Sequence, residues 1–131
     1  MIVQLTGIRR DLLQNTKETF ISGKAIRNGS MLTARECPPF SGSDTLLFGE
    51  EGIVLTHRGE TKSRIELPFA GEGTAYAETM FGKMEFSAQL LEYAADDACV
   101  QFHYRLMQEN ETVSDIELTF LVSSGINDNF A

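Results

Sequence analysis

Apolar and polar residues alternate along most of the chain, and no other feature restricts its fold as strongly. The stretch 100–106 reads VQFHYRL, so every second side chain is apolar. Successive side chains of a β-strand point to opposite faces, so this pattern is typical of a strand with one buried and one wet face. The stretches 84–90 and 116–122 repeat the pattern. The sequence therefore predicts three such strands in the last third of the chain.

Seven further stretches are predicted as strands, at 3–8, 18–26, 31–36, 45–48, 53–57, 63–67 and 74–79. Turn signals separate them, and Asn28-Gly29 is the strongest of these because this dipeptide favours tight hairpins. Phe81-Gly82 marks another turn, at which we expect Phe81 to cap the core. The stretch 10–17 is too short and too weakly periodic to predict a helix. The chain thus holds about ten short strands.

This many consecutive strands must close into a barrel or pair as a sandwich, because open sheet edges attract other chains. The short sequential connections favour an up-and-down meander. We therefore predict an all-β protein, an antiparallel up-and-down barrel of about eight to ten strands. Residues 1–123 form its single domain, and residues 124–131 are expected to be a flexible tail. A barrel of this size is filled by side chains or holds one small ligand.

The charge balance of the 131-residue chain, with 11 Lys and Arg against 19 Asp and Glu, gives a net charge of −8. It argues against nucleic acid and anionic membrane as partners, since both attract basic patches. No apolar run approaches the roughly 20 residues that span a bilayer. Arg9 and Arg10 follow the first apolar stretch, the wrong order for an export signal. We therefore expect a cytoplasmic protein whose Cys37 and Cys99 stay reduced.

The stretch 45–122 resembles a bacterial family of small proteins, the domain-of-unknown-function group 1934. The resemblance rests on an Arg-Gly turn and a Tyr-x-Thr-x-aromatic-Gly element, which correspond here to Arg58, Gly59, Tyr76, Thr79, Phe81 and Gly82, with a looser spacing after Tyr76. Met80 stands where a proline is common in that family. Known members resemble calycins, so the resemblance implies a calycin-like, lipocalin-like barrel and no established activity.

Three arginines and two tyrosines are the candidate ligand-binding residues: Arg58, Arg64, Arg105, Tyr76 and Tyr104. An arginine at a barrel mouth offers a planar fork for carboxylate or phosphate groups. The competing interpretation makes Arg58 a solvated charge in a hairpin, with Gly59 supplying a positive φ. The tyrosines either contact a ligand or bury their rings and give their hydroxyls to a neighbour or to water.

The two histidines, His57 and His103, are not brought together by any spacing in the sequence. We therefore predict no metal site and treat both as unrelated surface or rim residues. The acidic pairs Glu50-Glu51 and Asp96-Asp97 fall in expected turns, where paired catalytic carboxylates would lack a fixed separation. Motifs for a nucleophile, a phosphate-binding loop or a zinc protease are lacking. The sequence thus assigns no catalytic residue and no cofactor.

Two functions of different classes remain open. The first is a non-enzymatic binding module that holds a small, partly apolar or anionic ligand in the barrel. The second is a structural or protein-interaction module acting as a homodimer, for which Leu91, Met107 and Leu121 would supply outward apolar contacts. The sequence leaves the choice between monomer and homodimer open. An enzyme is the less favoured interpretation, with no residue set to support it.

Overall fold

Ten antiparallel strands form the protein in a computed structural model that describes residues 1–38 and 41–124. Their bounds are β1 Ile2–Asp11, β2 Thr16–Asn28, β3 Met31–Arg35, β4 Ser43–Phe48, β5 Gly52–Arg58, β6 Lys62–Pro68, β7 Gly73–Thr79, β8 Gly82–Ala95, β9 Cys99–Gln108 and β10 Glu111–Ser124. Within these described ranges, no helix is long and apolar enough to cross a membrane.

The strands form a closed up-and-down barrel, in which each strand pairs with its neighbours in sequence. Closure comes from β1 and β10, whose register runs from Val3 opposite Ser124 to Asp11 opposite Ile116. This arrangement confirms the predicted fold class, at the upper end of the expected strand number. Ser124, the first residue of the predicted tail, belongs to β10. The rest of that tail lies outside the described residues.

The inner face follows the predicted alternation. Phe102 and Tyr104 on β9 are buried, and so is Phe120 on β10. The Phe102 and Phe120 rings stack with centroids 6.1 Å apart, and Phe20 meets Phe120 edge-on at 5.9 Å. The buried core as a whole comprises Val3, Leu5, Ile21, Ala25, Leu32, Ala34, Leu46, Ile53, Leu55, Leu67, Ala75, Ala88, Val100, Phe102, Tyr104, Ile116, Leu118 and Phe120.

A bulge between β1 and β2 changes which β2 side chains face the interior. The register places Gly7 opposite Ile21 but Ile8 opposite Thr19, so Phe20 is the extra residue. Such a bulge shifts the phase of alternation by one residue. Ile21 is buried on one side of it, whereas Glu18 and Phe20 line the interior on the other side. This shift brings the carboxylate of Glu18 to the mouth of the barrel interior.

Two expectations about turns are wrong. Phe81 does not cap the core, because its side chain is 92% exposed at the tip of the β7–β8 hairpin. Gly59 does not have a positive φ; in the adjoining loop Gly42 does, with a φ of 130°. A Cβ atom on Gly59 would lie 2.7 Å from the carbonyl oxygen of Ser41, so close packing, not turn conformation, requires this glycine. The Asn28-Gly29 turn is confirmed, with a Gly29 φ of 62°.

Candidate ligand cavity and carboxylate–histidine cluster

The barrel interior has a packed half and a half that contains a cavity of about 290 Å³. The cavity lies towards the end of the barrel where β1, β3, β5, β7 and β9 finish. Its walls combine apolar side chains with polar ones, and the lining residues are Arg9, Glu18, Phe20, Glu36, Asp44, Leu55, His57, Ser63, Ile65, Ala75, Tyr76, Ala77, Phe86, Tyr104, Leu106, Ser114, Ile116 and Leu118. A concave, mainly apolar pocket with a few polar groups is typical of small-molecule sites.

Three polar side chains meet in this cavity. Asp44 on β4 lies directly opposite His57 on β5, and Glu36 follows the end of β3. His57 Nδ1 lies 3.3 Å from Asp44 Oδ1 and 3.3 Å from Glu36 Oε1. The three ligand atoms all lie within 4.8 Å of one another. We refer to Glu36, Asp44 and His57 as the inner cluster.

The strand pattern explains why these side chains point inward. Asp44 is in phase with Leu46, and His57 is in phase with Leu55, both of which are buried core residues. Glu36 continues the inward phase of Leu32 and Ala34. A period of two residues sends all members of one phase to the same face of a strand. The residues of the inner cluster therefore lie at inward-facing positions, which are apolar elsewhere in these strands.

Gly42, just before β4, allows the backbone to approach His57 closely. A Cβ atom on Gly42 would lie 2.8 Å from His57 Cε1 and 2.6 Å from the carbonyl oxygen of Arg58. The backbone N–H of Glu36 donates to the carbonyl oxygen of Gly42 at 3.1 Å, which closes the loop. A larger residue at position 42 would push this loop, and Glu36 with it, away from the imidazole.

The inner cluster contains a buried carboxyl group with one unsatisfied oxygen atom. Asp44 is 6% exposed, and its Oδ2 atom has no hydrogen-bond partner within residues 1–38 and 41–124. The pKa of Asp44 is raised to about 7, because burial and the neighbouring Glu36 carboxylate together raise it more than His57 lowers it. A buried carboxylate beside a second carboxylate favours either a proton or a cation next to it.

Arg9 and Glu18 stand at the mouth of the cavity, on paired positions of β1 and β2. Arg9 Nη1 lies 3.8 Å from Glu18 Oε1, and both side chains are nearly half exposed. Tyr104 lines the cavity deeper inside, and burial raises the pKa of its hydroxyl to about 12. That hydroxyl is therefore neutral at physiological pH and can donate a hydrogen bond.

The three predicted arginines lie away from the interior. Arg58 is exposed at the end of β5, and Arg64 is exposed on β6, where its Nε donates to Glu66 Oε1 at 2.8 Å. Arg105 is on the outer face of β9, where its Nε lies 3.3 Å from Asp115 Oδ2. The arginine at the cavity mouth is instead Arg9, whose strand phase places it there.

The two predicted tyrosines both contribute to the cavity lining. Tyr104 does so from a buried position on β9, whereas Tyr76 on β7 is half-buried. Lys83 Nζ lies 4.5 Å from the centre of the Tyr76 ring, a cation–π contact. Both tyrosines thus border this cavity, but of the two only Tyr104 is in the inward phase of its strand; Tyr76 pairs with the exposed residues Arg64 and Glu85.

A second histidine–carboxylate group lies on the outer face of the wall. Asp115 on β10 accepts hydrogen bonds from His103 Nε2 and Arg105 Nε of β9. His57 and His103 thus belong to different faces and do not meet, as the sequence analysis expected. Burial tends to raise the pKa of Asp115, but hydrogen bonds from His103 and Arg105 outweigh it and lower this pKa below its ordinary value.

The inner cluster was not predicted from the sequence, from which no metal site was expected, although two carboxylates and an imidazole can hold a cation. A signal for it exists: Asp44 and His57 are ionisable residues in the apolar phase of neighbouring strands. Extending the predicted strand back from Thr45 to Ser43 would have placed Asp44 on the inner face.

No protein-family model matches this chain, and no curated protein matches it. Among solved structures, the barrel is similar to the crystal structure of the YwiB protein from Bacillus subtilis, with a TM-score of 0.59 and 11% sequence identity. The alignment covers 95% of this chain and 90% of that chain. At this identity the similarity concerns the fold: a small closed barrel of the same overall size.

Proposed function

We propose that the protein is a binding module that holds one small, partly apolar molecule in the cavity of the barrel interior. The observation that carries this proposal is the cavity of about 290 Å³ with apolar walls and a buried polar cluster. This volume equals about ten water molecules at roughly 30 Å³ each. It is at the lower end of the range for small-molecule pockets. The ligand is therefore of bicyclic-aromatic size or smaller.

The polar end of this ligand follows from the chemistry of the inner cluster. Asp44 Oδ2 is a buried acceptor without a donor among the described residues. A ligand group with an O–H or N–H bond would satisfy it, and the neutral Tyr104 hydroxyl offers a further contact. Apolar side chains such as Phe20, Ile65 and Phe86 would pack around the remainder. The ligand is thus an amphipathic molecule with its polar group directed at Asp44.

A cavity-filling variant tests this proposal. Ala77 lines the cavity from β7, so Ala77→Phe would occupy much of its volume. Ala94→Phe places the same side chain on an exposed position of β8 and is the matched control. We expect 2-naphthol, titrated by calorimetry in the presence of EDTA, to bind wild type and Ala94→Phe but to bind Ala77→Phe at least about tenfold more weakly.

The result that contradicts the proposal is equal binding of 2-naphthol by both variants, or no binding by the wild-type protein. Native mass spectrometry of the protein as expressed complements this titration, because it reports a retained small molecule and the oligomeric state together. A retained mass that disappears in Ala77→Phe and persists in Ala94→Phe would locate the molecule in the cavity.

The homodimer remains the alternative proposal, and the same mass spectra test it. Leu121 is 44% exposed, while Leu91 and Met107 are half-buried. The register places Met107 near Thr112 and Leu121 opposite Cys99, at opposite ends of β9. These positions do not form one continuous apolar patch.

We also infer membership of the domain-of-unknown-function group 1934 family, which the motif around Arg58 and Tyr76 supports.

A further inference from the structure

The inner cluster has the composition and spacing of a metal site. Imidazole and carboxylate groups together suit first-row transition-metal dications. In a tetrahedral site with metal–ligand bonds of about 2.0–2.1 Å, neighbouring ligand atoms lie about 3.3–3.4 Å apart. His57 Nδ1 lies 3.3 Å from each of the two carboxylate oxygens. The spacing therefore matches two edges of such a tetrahedron before any metal is added.

A second, independent observation concerns the charge balance. Asp44 is 6% exposed, and the neighbouring Glu36 and His57 side chains are 15% and 18% exposed. The Oδ2 atom of Asp44 is buried without a partner in the described part of the chain. The cationic residue at the mouth, Arg9, faces the carboxylate of Glu18. The interior thus holds two carboxylates whose charge a dication would neutralise.

We propose that Glu36, Asp44 and His57 bind one transition-metal dication of the Zn²⁺ class at the inner cluster. Metal ligation requires a deprotonated Nδ1 on His57 and ionised carboxylates on Glu36 and Asp44, so any protons on these atoms are released to the solvent. Three protein ligands leave a fourth position for water or a further molecule, and all three residues line the cavity. This inference goes beyond the proposed function, because the site forms from the chain's own side chains without an organic ligand.

A histidine and an aspartate on the outer face of the barrel wall serve as control positions for substitutions in the inner cluster. His103 and Asp115 are also a histidine–aspartate pair, but they lie on the outer face with Arg105 beside them. A guanidinium at that place repels a metal cation. Substitutions at these positions therefore change the histidine and aspartate content of the protein as the inner substitutions do, while leaving the inner cluster intact.

The experiment titrates Zn²⁺ alone into protein that has been stripped with EDTA and kept reduced, with a fluorescent chelator as competitor. We expect one Zn²⁺ per chain in the wild type. Glu36→Gln, Asp44→Asn and His57→Gln are each expected to weaken binding by at least about 100-fold, as loss of a direct ligand exceeds the loss of an outer-shell partner. His103→Gln and Asp115→Asn are expected to bind as the wild type does.

Cobalt substitution gives a measurement that does not depend on variants that fold poorly. Wild-type protein with Co²⁺ is expected to show the visible absorption of a four-coordinate nitrogen–oxygen site, without the near-ultraviolet band of a thiolate ligand. Tight Zn²⁺ binding retained in any inner variant, loss of binding in His103→Gln, a thiolate band, or no binding by the wild type would each overturn the metal site. Since the 2-naphthol titration contains EDTA, failure of one proposal is separable from failure of the other.

Discussion

The barrel wall holds two aspartate–histidine pairs, one facing the interior and one facing outward. The two aspartates have different neighbours, and their pKa values are shifted in opposite directions. On the outer face, Asp115 receives hydrogen bonds from both His103 and Arg105. On the inner face, Asp44 meets His57, but the third neighbour is the carboxylate of Glu36. The pKa of Asp115 is lowered, whereas the pKa of Asp44 is raised to about 7.

The difference shows how surroundings decide whether a charged pair stabilises the fold or forms a site. The outer carboxylate has a hydrogen-bond donor on either side, the His103 imidazole and the Arg105 guanidinium, so its ionised form is stabilised by charge-assisted hydrogen bonds. The inner carboxylate is buried beside a like charge, and its ionised form is costly until a proton or a cation arrives. The same pair of side chains therefore stabilises the wall on the outer face, whereas on the inner face it belongs to the proposed metal site.

The largest expected effect is a difference in stability between matched substitutions of the two aspartates. Asp115→Asn weakens two charge-assisted hydrogen bonds and is expected to lower the free energy of unfolding by about 1–2 kcal/mol. Asp44→Asn removes a buried carboxylate that lies beside the Glu36 carboxylate, and it is expected to leave that free energy unchanged or to raise it. Urea unfolding at pH 7.5 with EDTA measures both. A larger loss for Asp44→Asn than for Asp115→Asn would contradict the comparison.

The pH dependence of stability is expected to have opposite signs at the two sites. Asp44 has a folded-state pKa of about 7 against an ordinary value of 3.8, so its protonated form stabilises the fold at low pH. That contribution is complete below about pH 4 and is lost as the pH rises through about 7. Wild-type protein should therefore lose stability relative to Asp44→Asn between these values.

Asp115 behaves in the reverse sense, because its folded-state pKa is below the ordinary value of 3.8. Its contribution is present above pH 3.8 and is lost as the pH falls further. Wild-type protein should therefore lose stability relative to Asp115→Asn on acidification. Urea unfolding from pH 3 to pH 8 tests both trends. Parallel curves for wild type and either variant would show that the corresponding aspartate does not titrate as its surroundings require.

The smallest expected effect concerns Arg105, the exposed partner of the outer pair. Its side chain is 43% exposed, so water screens its attraction to Asp115. Arg105→Gln is expected to lower the free energy of unfolding by less than about 1 kcal/mol. Thermal unfolding at two salt concentrations measures this, and the difference from wild type should shrink at high salt. A loss as large as that of Asp115→Asn would mean that Arg105, not His103, stabilises the outer carboxylate.

The sequence was most informative where alternation is regular. The pattern in 100–106 correctly placed Phe102 inside and His103 outside, because a two-residue period leaves no choice of face. It failed at Phe81, whose exposure depends on how far the β7–β8 hairpin extends beyond the barrel wall. It also could not foresee the β1–β2 bulge, which arises from the pairing of two strands.

The site was harder to predict, because its members come from different strands. Arg58, Arg64 and Arg105 were predicted to bind a ligand because positive charges are scarce in this chain, yet each lies outside the interior. Glu36, Asp44 and His57 are separated by 7 and 12 residues of other sequence, and no local motif joins them. All three are ionisable residues at positions where the alternation expects apolar ones. Strand register is needed to show that these positions lie next to each other.

The sequence by itself determined the number and amphipathic faces of the strands, and with them a closed up-and-down barrel. These follow from local periodicity and turn residues, which act within a few positions of the chain. The tertiary structure decided which half of the interior is packed and which contains a cavity, and which charges meet there. Those outcomes depend on how barrel closure and register bring distant strands together. Asp44 and His57 become partners because β4 and β5 pair in that register.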